Sequence, residues 1–265
     1  MKTICFTTTA LALATSFSAA RAADSNEDLA KKLQNPVAAL VSVPIQYNWD
    51  TGIGQSKSDR SLLNIQPVIP VSLNADWTMI SRTILPLINA QPTAPGADRH
   101  SGLGDITQSL FFSPTQPTGG GWIWGVGPVF QLPTATDSAL GSGKWSGGPT
   151  AVVLKQDSGF TYGALVSQLS SFAGRDSRAP VSAMVLQPFA SYTTKTFTSF
   201  SLNTESSFNW KTNQWTVPIN IGASQLLKLG SQPVSFAIGY RNYVERPEGG
   251  PRWGLRFSVT LLFPK

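Results

Sequence analysis

The sequence predicts an all-β fold, a transmembrane antiparallel β-barrel of about 12 strands with a short N-terminal helical segment, and three observations carry that expectation. The first is alternation of residue type with a period of two over stretches too long for ordinary soluble strands. From Thr196 to Trp210, the set Ser199, Ser201, Asn203, Glu205, Ser207 and Asn209 is polar. The set Phe200, Leu202, Thr204, Ser206, Phe208 and Trp210 is apolar at its ends, so the two faces of an extended strand meet different surroundings. A soluble strand is typically about 5–6 residues; this run is the length of a membrane-crossing strand of about 9–11 residues with protruding ends. The second observation is the asymmetry of the connections, and the third is the placement of tryptophan. Each emerges along the chain.

Residues 1–22 read as a cleaved signal peptide. Lys2 precedes an apolar, hydroxyl-rich run from Ala10 to Phe17, and Ala20-Arg21-Ala22 suits cleavage before Ala23. The apolar run is well short of the ~20 residues of a spanning helix. The one cysteine, Cys5, lies in this leader, so the exported chain has no disulfide and depends on its core or on sheet closure. Loss of Lys2 and Arg21 lowers the formal charge from +6 to +4, and no basic cluster points to nucleic acid.

Residues 23–36 form an N-terminal periplasmic segment. Ser25 is a candidate cap, with Asp28 three residues on, Leu29 and Leu33 share a helical face, and Pro36 ends the helix. Two readings stay open: a mobile tether, or a plug folded into the lumen.

Residues 37–265 form the barrel. Strands are expected at roughly 38–49, 61–73, 76–88, 103–113, 121–133, 145–156, 159–172, 181–194, 196–210, 214–227, 232–243 and 252–263. The connections after odd-numbered strands are mostly long and polar, such as D-T-G-I-G-Q-S-K-S-D-R, N-A-Q-P-T-A-P-G-A-D-R-H-S-G and T-A-T-D-S-A-L-G-S-G-K. Those after even-numbered strands are mostly tight, such as Asn74-Ala75 and Gly230-Ser231, with Ser113 to Gly120 the longer exception. Long loops on one side and short turns on the other is the asymmetry of an outer-membrane barrel, and an even strand count leaves both termini on the short-turn side. The tryptophans Trp49, Trp77, Trp122, Trp124, Trp145, Trp210, Trp215 and Trp253 all fall at or near expected strand ends, as an aromatic girdle requires. Outer-membrane lipids are therefore the expected surroundings, and the barrel-assembly machinery the expected partner during insertion.

The prolines oppose this scheme. Pro44, Pro67, Pro70, Pro86, Pro128, Pro188 and Pro218 fall within expected strands, where each removes a ladder donor, so they call for bulges or places near a rim.

With the small polar sets turned inward, the candidates for lining the lumen are Arg82, Asp105, Lys155, Asn203, Glu205, Arg241 and Arg256. Charges of both signs inside a narrow barrel either pair and fill it or select solutes at a constriction. Catalytic chemistry is not expected. His100 is the only histidine, and Gly102 stands where outer-membrane phospholipases place a serine two residues on. No metal-ligand spacing occurs and no cofactor is expected.

Several blocks also resemble a family. They include N-P-V-A-A-L-V-S-V-P at 35–44, L-N-I-Q-P-V-I-P at 63–70, I-S-R-T-I-L-P at 80–86, S-G-L-G-D-I at 101–106, G-P-V-F-Q-L-P-T-A-T at 127–136, Q-P-F-A-S-Y-T-T at 187–194, N-T-E-S at 203–206 and W-G-L-R-F-S-V-T-L-L-F-P-K at 253–265. These are similar to bacterial outer-membrane proteins labelled as transporters or as the MetA pathway of phenol degradation, sometimes mislabelled neuromedin U. The resemblance spans nearly all of the mature chain. It implies a transporter-like barrel of a Gram-negative bacterium, porin-like in role, with small aromatic or hydrophobic compounds among its solutes, and it supplies no catalytic residues. A passive channel for small solutes is the leading expectation; a barrel with a closed lumen, structural or binding, is the alternative.

Overall fold

A computed structural model describes residues 25–264, so the expected signal peptide and Cys5 lie outside the described residues. After the helix α1 (Asn26–Leu33), the chain forms twelve antiparallel strands. They are β1 (Val41–Ile53), β2 (Ser58–Ile65 and Val68–Ser72), β3 (Trp77–Ala90), β4 (His100–Leu103 and Ile106–Pro114), β5 (Trp122–Leu132), β6 (Lys144–Asp157), β7 (Phe160–Gly174), β8 (Ser182–Thr193), β9 (Thr198–Thr204 and Ser206–Asn209), β10 (Gln214–Leu229), β11 (Gln232–Glu245) and β12 (Trp253–Phe263). Each strand pairs with its neighbour in sequence, and β1 pairs with β12 from Val41↔Phe263 to Thr51↔Trp253. The sheet therefore closes and leaves no edge, which is the condition for crossing hydrocarbon with strands.

Closure exposes an apolar outer wall. On β11, Phe236, Ile238 and Tyr240 point out while Ser235 and Arg241 are buried; on β12, Phe257 points out while Gly254 is buried. The same division holds on β9, where Phe200 and Leu202 are exposed and Ser199 is buried. Aromatics form two rims. Trp77 packs edge-on to Trp124, and Trp122 edge-on to Tyr162, at the short-turn end; Trp49 and Tyr240 both meet Trp253, and Phe208 meets Trp210 and Trp215, at the opposite end. Trp145 opens β6 at that same end. Trp49 is nine residues into β1, because this strand runs further than the sequence suggests.

That extension corrects the loop pattern. The expected long connection at 50–60 is mostly strand: β1 continues to Ile53, β2 begins at Ser58, and four residues join them. A bulge between Asp50 and Ile53 carries the ladder upward, and Gly52, at φ +79°, supplies the left-handed conformation that it needs. His100–Gly102, also expected in a loop, is strand paired with β3. Beyond the membrane neither segment needs the apolar alternation by which strands are recognised.

The interruptions in the strands answer the proline problem at Pro44, Pro67, Pro86 and Pro218, whereas Pro70, Pro128 and Pro188 pair in unshifted ladders and need neither bulge nor rim. The β2 break at Gln66-Pro67 faces Pro44, whose carbonyl accepts from the Gln66 amide at 2.8 Å. The β4 break at Gly104-Asp105 faces Pro86, whose carbonyl accepts from the Gly104 amide at 2.8 Å; the step from Leu87↔Leu103 to Ile84↔Thr107 shows one extra residue in β4. In β9 the register runs unshifted from Thr204↔Ile219 to Ser207↔Thr216, which sets Glu205 opposite Pro218. Three breaks thus carry three polar residues, Gln66, Asp105 and Glu205, and each stands where a proline has removed regular pairing. Thr204 and Ser206, the least lipid-like outward residues of β9, bond each other at 2.6 Å.

The interior at the short-turn end is apolar. Ile80, Phe111, Val152, Leu154 and Leu165 point inward and pack around Val37. The expectation that small polar residues line the whole bore fails here, because this half is filled. Helix α1 and the residues after it do the filling: Leu29, Ala30, Ala38 and Leu40 are buried against Leu226 and Leu262, with Phe197 beside them. Gln156 of β6 also donates to the Lys31 carbonyl. These partners lie on opposite walls, so the segment crosses the bore as a plug and is not a loose tether. Gly125 leaves space for it, since a Cβ there would sit 3.2 Å from Val37 Cγ1.

Helix α1 is short enough to depend on its cap. Ser25 Oγ accepts from the Asp28 amide at 3.1 Å, and Asp28 accepts in return from the Ser25 amide at 3.3 Å, a capping box. The Ser25 hydroxyl, donating to Asp28 Oδ2 at 2.7 Å, and then the Ser25 amide hold the Asp28 carboxyl below its ordinary value of 3.8. Its contribution is therefore present above that value and is lost as pH falls through the lower folded one. Ser25→Ala should destabilise the docked helix by about 0.5–1 kcal/mol. Hydrogen-exchange protection factors at residues 26–33 are the measurement, and they should fall in the variant and, in the wild type, as the pH drops below 3.8.

Candidate functional site

Above the plug the interior becomes charged, and the charges come from strands on both sides of the β1–β12 seam. Glu205, in the β9 break, receives Arg256 bidentately, Nη1 to Oε1 at 3.0 Å and Nη2 to Oε2 at 2.7 Å. Arg241 Nη2 donates to the same Oε2 at 3.3 Å. Asn48 Oδ1 accepts from Arg256 Nε at 2.7 Å and from Arg241 Nη1 at 3.0 Å, which fixes both guanidiniums against β1. Bidentate pairing of this kind sets geometry as well as energy.

A second layer sits closer to the long-loop end. The fully buried Asp50 accepts from Tyr243 Oη at 3.0 Å and from Arg60 Nη2 at 2.9 Å, and the Arg241 guanidinium lies 5.4 Å from the centre of the Tyr243 ring. Asn203 accepts from Asn220 at 2.9 Å within the same wall. Arg82, on β3, donates to Gln66 at 2.9 Å. Four guanidiniums therefore face two carboxylates, a surplus of two positive charges in a narrow bore. Arg82 differs from the other three, because no carboxylate lies within ion-pair distance of it among the described residues.

Between this network and the plug lies a cavity of about 310 Å³. Leu33, Ala38 and Leu40 wall it on the plug side, and Val68, Leu165 and Phe189 continue the apolar wall onto the barrel. Arg82, Gln66, Gln187, Asn203 and Glu205 are polar groups on the barrel side, and Lys32, Gln34 and Asn35 line it from the plug segment.

Of the expected lumen residues, Arg82, Asn203, Glu205, Arg241 and Arg256 come together in this region. Asp105 is buried near the long-loop end and acts on a loop: its Oδ2 accepts from the Ser142 amide at 2.6 Å and from Ser142 Oγ at 2.7 Å, and its Oδ1 from the Ala135 amide at 3.3 Å. It ties down the β5–β6 connection. Lys155 is a correction. It pairs directly with Trp122 and Tyr162, and its ammonium lies 6.0 Å from the centre of the Trp122 ring. Directly paired residues share a face, so Lys155 is on the outer wall at the short-turn rim, where its stem lies along the aromatics. Its neighbour Leu154 is the inward residue, fully buried.

Sequence reasoning missed Asn48, Asp50, Arg60, Gln66 and Tyr243. Asn48 and Asp50 stand on the polar set of β1 alternating with Ile45, Tyr47 and Trp49, so the same two-residue period could have found them. Arg60 and Gln66 carried no such signal, one lying in an expected loop and the other beside a proline.

His100 Nδ1 lies 2.8 Å from Asp137 Oδ2 in the long-loop region. The Ala139 amide first, and His100 second, hold the Asp137 carboxyl below its ordinary range. The pair links β4 to the β5–β6 loop. No group of three or more His, Cys, Asp or Glu residues suited to a metal gathers among the described residues.

No family model and no curated protein sequence matches the chain. Among solved structures, it is similar to the COG4313 outer membrane channel from Pseudomonas putida F1, with a TM-score of 0.66 and 14% identity over 85% of this chain and 96% of that one. It is also similar to outer membrane phospholipase A from Escherichia coli, with a TM-score of 0.50 and 11% identity over 83% of this chain and 89% of that one. At such identities the likeness is one of fold, and this chain therefore shares its fold with outer-membrane β-barrels, a channel and an enzyme among them.

Proposed function

We propose that the protein is an outer-membrane barrel of a Gram-negative bacterium, exported behind a cleaved signal peptide, that passes small solutes through its interior. The observation that carries this reading is the charged, hydrogen-bonded lining of a closed sheet whose outside is apolar. An interior kept only for packing is served at least as well by apolar residues, because buried ion pairs rarely add stability over hydrophobic replacements of similar volume. The fold shared with a COG4313 outer membrane channel supports the same reading. So does the resemblance to the MetA pathway of phenol degradation proteins, from which small aromatic or hydrophobic solutes follow as the substrate class. No catalytic step is assigned.

A second reading has its own observation. The plug buries Leu29 and Val37 across the bore, as a permanently closed structural or binding barrel would. Reconstitution separates the two. The channel reading expects a heat-modifiable band on an unboiled detergent gel, recovery in outer-membrane fractions, swelling of liposomes in small solutes and discrete conductance steps in a planar bilayer. A folded protein that gives neither swelling nor conductance favours the closed barrel, and one soluble without detergent refutes both.

A further inference from the structure

The cavity between the plug and the charged network combines features that solute passage alone does not require. Its volume of about 310 Å³ is at the lower end of the ~300–1,000 Å³ of ligand pockets, enough for one small molecule. Its walls are divided by chemistry. Phe189, Leu165 and Leu40 give an apolar side, and Arg82 gives the one lumen guanidinium that has no carboxylate partner among the described residues.

Glu205 lines the same space, but Arg256 and Arg241 occupy its oxygens. It therefore presents a neutralised group, while Arg82 keeps donors beyond the one directed at Gln66. Gln187 and Asn203 add polar groups without charge, and Lys32 of the plug segment lines the same space.

We propose that this cavity is a binding site for a small organic monocarboxylate with an apolar body, such as an aromatic acid. The carboxylate pairs with Arg82 and the body lies against Phe189, Leu165 and Leu40. A planar guanidinium suits a planar carboxylate, and the apolar wall discriminates a ring-bearing acid from acetate. A neutral phenolic or alcohol analogue leaves the Arg82 charge unanswered. The assignment rests on reading the interior as the solute path, and it names the class of solute that pauses there.

The test uses the full mature chain in detergent, with sodium benzoate, benzyl alcohol and sodium acetate as probes in isothermal titration calorimetry. Benzoate is expected to bind with one site per chain, and acetate and benzyl alcohol to bind at least about tenfold more weakly. Arg82→Gln, which keeps a donor for Gln66, should weaken benzoate by about 10- to 100-fold, the worth of a charge-assisted bond. Arg82→Lys should recover part of that loss. Ser201→Phe, at another position on the cavity wall, fills the space without touching the charge and should abolish binding while the heat-modifiable band persists. Absence of benzoate binding in the wild type, or equal binding in Arg82→Gln and Ser201→Phe, overturns the proposal. Bilayer conductance is measured on the same samples. A protein that conducts but does not bind benzoate sinks this site and leaves the channel standing; one that binds but does not conduct keeps the site and sinks the channel.

Discussion

Removing residues 26–38, with the leader kept, is expected to raise single-channel conductance several-fold over the full chain. The segment places Leu29 and Ala30 against Leu226 and Leu262 on one wall, and Val37 against Ile80, Phe111, Val152, Leu154 and Leu165 on the other. Each large side chain contributes about 1.5–3 kcal/mol on burial, and the apolar inner wall it leaves behind becomes the surface of a wider bore. Leu29→Asp is the point version of the same experiment. It puts a carboxylate where the chain leaves no water, so it should release the segment while the strands remain intact. Planar-bilayer recording is the measurement, and an unchanged conductance in both variants would show that the plug does not control the path.

The second large effect is expected at Glu205. Two guanidiniums converge on it, so Glu205→Ala leaves Arg241 and Arg256 facing each other with Asn48 as their shared acceptor. Breaking a fully buried pair costs about 3–5 kcal/mol. The Glu205 side chain keeps a third of its surface exposed, and solvent screening reduces the expected loss to about 1–3 kcal/mol. The midpoint of urea unfolding, followed by tryptophan fluorescence, should fall accordingly, with Glu205→Gln in between because it retains one acceptor. The same change raises the positive surplus of the lumen by one, so the reversal potential in a salt gradient should move toward anion preference in both variants. A shift toward cations would contradict the described network.

The two strands with the clearest alternation, β9 and β12, were legible because each separates lipid from lumen residue by residue. The strands that bound the plug were less so. In β6 the run Ala151-Val152-Val153-Leu154 is apolar on both faces, since Val153 meets the outside and Val152 and Leu154 meet the plug. With no polar face to mark the interior, Lys155 read as a lumen residue when it is an outer one. The plug itself is what hides the pattern, and it lies some hundred residues away in sequence. The β1 and β2 extensions were illegible for another reason: beyond the membrane the alternation with lipid ends, so Thr51, Ser58 and Asp59 resemble loop residues even while their backbones pair. The prolines were read correctly as demanding irregularity at Pro44, Pro67, Pro86 and Pro218, although which strand yields was not in the sequence, and wrongly at Pro70, Pro128 and Pro188, which pair in unshifted ladders. Pro44, Pro86 and Pro218 sit in continuous strands, and the partner chain breaks opposite them.

The position of α1 also orders the assembly of the molecule in time. Leu29 lies more than two hundred residues before Leu262 in the sequence, yet the two are packed together, and Leu262 is inward only once β12 has joined β1. Helix α1 therefore waits for the last strand. Its docking site does not exist on an open sheet, and loop closure over nearly the whole sequence precedes its contacts. Protection of residues 26–33 should consequently appear as the final kinetic phase of refolding, after the heat-resistant barrel band has formed, which makes the plug a reporter of finished closure as well as its seal.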